Sequence, residues 1–410
     1  MANVMVIGAA TGQLSLIQKA KSMGFRTIVV SIKGPYPGFD EADEFAFIDI
    51  KKKDAILELA RKRSVVAVVT DQSDVCLSTA AYVCENLNLA GIPQEIISLF
   101  TNKNKLRQEC LKKGVKIPRY QEILSLADLK HAPNALGYPF ILKPSDNDGS
   151  RGVQIIRENI SLNLAYNESL RYSPSRILIA EQYVAGKEVC VEALVYKGAV
   201  RNIVVGDSKN MGLDGCFIPS ERLFPSNLPV ETIERVFNQN TELYTAHGEF
   251  FAMTHSEYIV SREDDSIYLL DAHIRGGGAY IASHIIPLVT NIDQYDLYIR
   301  AACGYQPAIP EHIEYKQHAG YVCFLLPQGR IIETIPQHSL YAIPGVHFYN
   351  LAGLEIGREL DVPRDKTSRF GPIIICAKSV EELAAVRISL KQAVKVRIET
   401  ASGIQGPYWH

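Results

Sequence analysis

The sequence contains no CxxC pair and no cysteine grouped with histidine, although eight cysteines (Cys76, Cys84, Cys110, Cys190, Cys216, Cys303, Cys323 and Cys376) are scattered along it. That scatter argues against a structural zinc site, which needs several ligands close together, and against the disulfide framework of a small secreted domain. The thiols read as reduced side chains packed as small core hydrophobes. Long apolar runs are also missing, and none approaches the roughly 20 residues of a membrane-spanning helix. No basic stretch precedes an apolar one at the start, so MANVMVIGAATGQ reads as a first β-strand rather than a signal peptide. Neither sign of charge is in excess: 43 Lys and Arg against 45 Asp and Glu leave a net charge of −2. No global field therefore draws nucleic acid or an anionic membrane surface. These absences predict a soluble, cytoplasmic protein that binds neither.

What is present is enough apolar material for a sizeable core: 47% of 410 residues are hydrophobic and 21% charged. That suggests two or three packed units. Through residues 1–98 apolar runs (VMVIG, RTIVVS, VVAVVT) alternate with helical patterns (SLIQKAKSMG, DAILELARKR, SDVCLSTAAYVCENLN). Strands alternating with helices predict a parallel, Rossmann-like open sheet. Gly8 and Gly12 flank its first strand-to-helix turn, but the GxGxxG spacing is absent and the second strand ends on Ser31 rather than an acidic residue. NAD binding is disfavoured, and the glycines read as turn and packing residues. A second unit spans 99–310, beginning with the helix NKLRQECLKKG, which Gly114 closes. From 311 to 410 the pattern changes to short strands, Pro-Gly turns and a final helix, SVEELAAVRISLKQAVKVR.

Three segments of the middle unit carry chemistry. In YPFILKPSDNDGSRGVQII a strand ends at Lys143 and a small-polar loop follows. Gly149 and Gly152 let backbone N–H groups approach closely, Ser150 and Arg151 add donors, and Lys143 supplies a compact cation. The segment reads as a phosphate-binding loop or as an ordinary hairpin whose DNDG is turn chemistry. RILIAEQYVAGKEVCVEALVY reads as a hairpin whose strand end can hold an adenine edge through the Val184 N–H, the Gln182 C=O and the Glu181 side chain, with Glu188 on the ribose. In HSEYIVSREDDSIYLLDAHIRGGG, Glu257 and Asp271 are equally far from Asp264, so a symmetric hairpin sets them opposite each other, with His273 and Arg275 on the face of Asp271. Two facing carboxylates repel unless a cation lies between them, and hard oxygens suit Mg²⁺ carried by phosphates. Arg275 beside Gly276, Gly277 and Gly278 then offers a fork of donors to a phosphate. The stretch GDSKNMGLDGCFIPSERLFPS reads as an irregular loop, either substrate-binding or merely on the surface.

Taken in this order, the three motifs resemble the ATP-grasp superfamily, particularly biotin carboxylase-like enzymes and the L-amino acid ligases. The resemblance covers about residues 1–400. It implies a fold of class α/β and α+β: a Rossmann-like pre-ATP-grasp domain, a two-subdomain ATP-grasp fold with a lid subdomain at about 132–190, and a C-terminal β-rich subdomain. It further implies ATP with Mg²⁺ or Mn²⁺ and an ADP-forming carboxylate–amine ligase acting through an acyl phosphate. A biotin carboxylase-like or purine-pathway ligase is one alternative, and a non-catalytic ATP-binding module another. By resemblance, Lys103 and Lys143 are the two ATP lysines, and Asp148, Gly149, Ser150, Arg151 and Gly152 cover the phosphates. Glu181, Gln182, Val184 and Glu188 contact the adenosine, Glu257, Asp271 and His273 form the metal site, and Arg275 stabilises the acyl phosphate and with Lys143 is catalytic. Asp271 and His273 stand where the family usually has Glu and Asn. The partners implied are a small-molecule carboxylate, an amine and a second copy of the chain in a homodimer.

Overall fold

VMVI, TIVV and VVAVV are β-branched runs whose residues are almost all inaccessible to solvent, as expected of strands covered on both faces. In the computed structural model, which describes residues 1–410 apart from 148, 214, 215 and 337, they form a parallel sheet. Its strands are β1 (Asn3–Ile7), β2 (Arg26–Ser31), β3 (Glu44–Phe47) and β4 (Val65–Val69), in the order β3-β2-β1-β4. The helix Lys103–Lys113 leads into the middle of the chain. Asn102 caps it by accepting from Lys105 N at 3.0 Å, and Gly114 ends it with a left-handed φ of 72°.

A small antiparallel sheet follows, made of β5 (Tyr120–Ile123), β6 (Phe140–Pro144), β7 (Gln154–Ile156) and β8 (Leu178–Gln182), in the order β5-β8-β6-β7. Two helices, Leu126–Leu136 and Leu162–Arg171, pack with it around Ile123, Leu129, Phe140 and Leu178. The main sheet takes β9 (Gly186–Tyr196), β10 (Ala199–Leu213), β11 (Cys216–Phe224), β12 (Phe251–Ser261) and β13 (Ile267–His273) from the middle of the chain. Beyond residue 310 come β14 (His318–Phe324), β15 (Gly329–Glu333), β16 (Val346–Tyr349), β17 (Glu359–Leu360), β18 (Phe370–Ala377), β19 (Arg397–Thr400) and β20 (Gly403–Gln405). The eight-stranded order is β13-β12-β9-β10-β11-β14-β18-β16, so β11 and β14 hydrogen-bond across the sequence boundary at 310. The remaining four strands form a separate sheet, β17-β15-β19-β20.

One expectation fails here. The stretch 206–226, read as an irregular loop, is mostly β10 and β11, two long strands inside the main sheet. Its Ser220, Glu221 and Arg222 are buried, because this part of the sheet keeps its polar side chains in ion pairs rather than in solvent. The largest core runs from β1 and β4 through the segment 280–302 to β9, β10 and β14, which fixes the first sheet to the main one. Among the described residues no helix is long and apolar enough to cross a membrane, and the described cysteines are unpaired and buried or half-buried.

Candidate functional site

A cleft of about 850 Å³ opens between the two antiparallel sheets and the carboxyl ends of the parallel one. Its walls include Lys103, Lys143, Gly149, Ser150, Glu181, Gln182, Val184, Glu188, Glu257, Asp271, His273 and Arg275. Twelve residues singled out from sequence thus share one cavity. Of the others, Arg151 is exposed and bonds Asn147 Oδ1 at 2.7 Å, Gly152 borders a second cavity of about 530 Å³, and Asp148 lies outside the described residues.

The carboxylate pair is set by strand register. Glu257 on β12 is the direct partner of Asp271 on β13, and an irregularity in the pairing starts only at the next residue, Tyr258. His255 and His273 pair two residues away on the same two strands, with ring centroids 6.3 Å apart. Each carboxylate has its own cation. Arg222 Nη2 donates to Glu257 Oε1 at 3.0 Å, and Lys103 Nζ lies 3.4 Å from Asp271 Oδ2. Burial pushes both carboxyls up, but the neighbouring positive groups win. His255 and Arg222 hold Glu257 well below the usual range, and Lys103 and His273 bring Asp271 down to about 2. Both are therefore anionic at neutral pH. Among the described residues no cluster of three or more His, Cys, Asp or Glu forms an all-protein metal cage. Two facing anionic carboxylates without further protein ligands fit Mg²⁺, which keeps several waters and shares its shell with phosphate oxygens.

On the other wall Glu181, whose side chain is only 4% exposed, lies between two cations. Arg107 Nε donates to its Oε1 at 2.8 Å and Lys143 Nζ reaches its Oε2 at 2.7 Å. Burial raises the Glu181 carboxyl, and Arg107 and Lys143 more than reverse that, so it stays charged. The carboxylate expected against adenine thus already holds the cluster beneath Lys143. Val184 lines the cleft, and its N–H has no hydrogen-bond partner among the described residues. Glu188 accepts from Asn210 Nδ2 at 2.6 Å, and burial pushes its carboxyl up. Lys103 Nζ also donates to Asn147 O at 2.8 Å, which joins the helix Lys103–Lys113 to the loop that follows Lys143.

Arg275 is held from the first unit. Its Nε donates to Asp74 Oδ1 at 2.7 Å and its Nη2 lies 3.3 Å from His273 Nδ1. His273 Nε2 in turn lies 3.8 Å from Asp271 Oδ2. Asp71, fully buried, accepts from Gly276 N at 2.9 Å and from the Tyr295 hydroxyl at 2.7 Å. Arg107, Arg222, Asn210, Glu192, His255, Asp71 and Asp74 were not singled out from sequence. No local signal marked Arg222, since SERLF is three polar residues followed by two apolar ones and lacks the alternation of a strand.

A family model for the ATP-grasp domain matches residues 100–261. The carbamoyl phosphate synthase large chain of Methanothermobacter thermautotrophicus is 23% identical over 277 residues, 65% of this chain and 25% of that one. The alanine–anticapsin ligase of Bacillus subtilis is 22% identical over 319 residues, 70% of this chain and 66% of that one. The chain thus spans about a quarter of the first of these relatives. Among solved structures, the L-amino acid ligase from Bacillus licheniformis superposes with a TM-score of 0.84 at 20% identity, covering 98% of this chain and 99% of the other. That likeness extends the fold over the units on either side of the matched segment. Residues 100–261 thus match an ATP-grasp domain, and the segments before and after them, which also line the cleft, complete a fold shared with that ligase structure.

Proposed function

We propose that this chain is an ADP-forming carboxylate–amine ligase, of the kind that joins an amino acid to a second amine through an acyl phosphate. The observation that carries the reading is the convergence of two anionic carboxylates, Glu257 and Asp271, with Lys103, Lys143 and Arg275 on one cleft. Support comes also from the fold shared with an L-amino acid ligase and from the sequence likeness to alanine–anticapsin ligase.

In the first step an oxygen of the substrate carboxylate attacks the γ-phosphorus of ATP, and the bond from that phosphorus to the β-phosphate oxygen breaks. The products are ADP and an acyl phosphate. In the second, the amine nitrogen adds to the acyl carbon, phosphate leaves with the electrons of the C–O bond, and the nitrogen gives up a proton. Phosphoryl transfer needs positioning and charge neutralisation more than covalent chemistry from the protein. Lys143 would meet the inner phosphates, and Lys103, beside Asp271, the outer ones. Glu257 and Asp271 would hold Mg²⁺, whose chemistry when bound is to neutralise phosphate charge. His273 has Asp271 on one nitrogen and Asp74 and Arg275 on the other, so it is assigned to orienting them. Arg275, oriented by Asp74, would offset the charge of the acyl phosphate.

The test is phosphate release from MgATP across a panel of carboxylates and amines, run with Arg275→Ala in parallel. The variant should bind ATP yet lose roughly 10²–10³ in turnover, the usual effect of removing one such donor. Unchanged turnover would sink the role given to Arg275. Bicarbonate-dependent ADP release without an amine would replace the ligase by a carboxylase, and ATP binding with no phosphate release under any pairing would leave a nucleotide-binding module.

A further inference from the structure

One carboxylate at the centre of the site has none of the roles given above. Glu192, on β9, has no exposed surface and stands directly opposite His255 in the register of β9 with β12. Its Oε1 hydrogen-bonds His255 Nδ1, and its Oε2 accepts the N–H of Gly277 at 3.3 Å. The far nitrogen of that imidazole, Nε2, lies 3.6 Å from Glu257 Oε1, the same oxygen that takes the 3.0 Å bond from Arg222. Glu257 therefore has one oxygen committed to protein cations, while no protein partner engages Oε2 among the described residues.

We propose that Glu192 is a positioning residue: through His255 it fixes the Glu257 carboxylate so that Oε2 alone faces the nucleotide's metal, and through Gly277 it ties that carboxylate to the turn carrying Arg275. The proposal rests on the nucleotide–metal reading of the same cleft. A carboxylate buried this deeply is strongly unfavourable unless it is paired and hydrogen-bonded, and an apolar side chain would fill the space without that penalty. The surroundings are shaped to the carboxylate. A Cβ on Gly277 would fall 2.6 Å from Glu192 Oε1 and 2.9 Å from His255 Nδ1, so only glycine lets the acid reach the amide. The neighbouring amide, Gly276 N–H, is taken by Asp71. Consecutive amides of the turn after Arg275 are thus held by carboxylates from two different units. Only the Glu192 contact continues, through His255, to the metal carboxylate. Partners of this kind, one step behind a metal ligand, typically change metal affinity by about 10–100-fold when altered.

Two substitutions separate geometry from charge. Glu192→Gln keeps the length, so its carbonyl can still accept from Gly277 N–H and its amide can donate to His255 Nδ1. Glu192→Asp keeps the charge but, one methylene shorter, cannot reach both partners. The affinity of the ADP-bound protein for Mn²⁺, read from the free-ion paramagnetic resonance signal, should fall about 10–100-fold in Glu192→Asp and by less than about threefold in Glu192→Gln. ADP affinity in EDTA should match the wild type in both. Wild-type Mn²⁺ affinity in Glu192→Asp, or a larger loss in Glu192→Gln, would overturn the proposal. His255→Asn, whose amide can still donate to Glu192 but cannot reach Glu257, should show the same loss. Unchanged Mn²⁺ affinity there overturns the proposal even if Glu192→Asp does not fold. If the wild type binds ADP no more tightly with Mn²⁺ than with EDTA, the nucleotide–metal reading itself falls, and this inference with it.

Discussion

Removing the negative member of the Arg107–Glu181–Lys143 cluster should destabilise the protein more than removing one of the positive ones. Arg107 has no exposed side-chain surface, Glu181 has 4% and Lys143 10%, so none of the three can turn to water for compensation. Glu181→Gln leaves a guanidinium and an ammonium side by side, hydrogen-bonded to neutral groups such as the carbonyl of Leu270, with Asp271 as the remaining negative charge acting on both. Breaking a buried pair in this way costs about 3–5 kcal/mol. Arg107→Met leaves Lys143 and Glu181 as a matched pair 2.7 Å apart, replaces the arginine stem with apolar volume and leaves Leu270 O its longer bond from Lys143. Its cost should be about 1–2 kcal/mol, in the range of one weakened buried hydrogen bond. For a cooperative unit of 150–250 residues, 1 kcal/mol shifts the midpoint by roughly 2–4 °C. Glu181→Gln should therefore lower the thermal midpoint by roughly 10 °C and Arg107→Met by only a few degrees, as read by differential scanning fluorimetry without nucleotide. If Arg107→Met proves as damaging as Glu181→Gln, or more so, the charge-balance reasoning is wrong.

Three further outcomes follow from the same structure. Gly277→Ala places a Cβ 2.6 Å from a buried carboxylate oxygen and should lower stability by about 1–3 kcal/mol, whereas at Gly278 the nearest atom would be 3.8 Å away and the midpoint should barely move. Equal losses in a thermal melt would contradict this. Burial beside His347 brings His284 down to about 4 from 6.5, so the unfolded chain takes the proton first as pH falls. Its contribution is complete above about pH 6.5 and is lost on the way down to about pH 4, and His284→Asn should flatten the fall of the midpoint over that window. An unchanged slope would refute it. Because no all-protein metal cage occurs among the described residues, EDTA alone should leave the melt unaltered, whereas Mg²⁺ should raise the midpoint when ADP is present. A melt lowered by EDTA without nucleotide would instead reveal a resident metal.

The sequence alone was sufficient wherever a local period or a local symmetry set the geometry. Equal spacing about Asp264 put Glu257 opposite Asp271, although near the turn Tyr258 pairs with Leu269 and Val260 with Ile267, one residue short of that symmetry, and a bulge at Leu270 restores the register. Strands alternating with helical patterns indicated the parallel sheet. It failed for β10 and β11. In β10 and β11 polar side chains are buried in ion pairs such as Arg222–Glu257 and Arg387–Glu221, so the apolar alternation that marks a strand is lost. It failed again for His255 with Glu192. The two meet because β12 pairs with β9, 63 residues away, and no local pattern specifies that neighbour. Asp71 and Asp74 escaped notice for a similar reason, since they reach the Arg275 turn from a different sheet.

The bond between β11 and β14 bears on how the molecule can be taken apart. The segment that carries the family signature stops at 261, yet the strand holding Arg222 is zipped on its outer side by residues beyond 310. A chain cut at that boundary would expose Glu221 and Arg222 along an unpaired strand and strip Glu221 of its clamp from Arg387. Such a bare edge recruits other strands, so the shortened protein should self-associate rather than persist as a smaller monomer. The smallest piece that can keep its cleft is thus larger than the piece by which its ancestry is recognised.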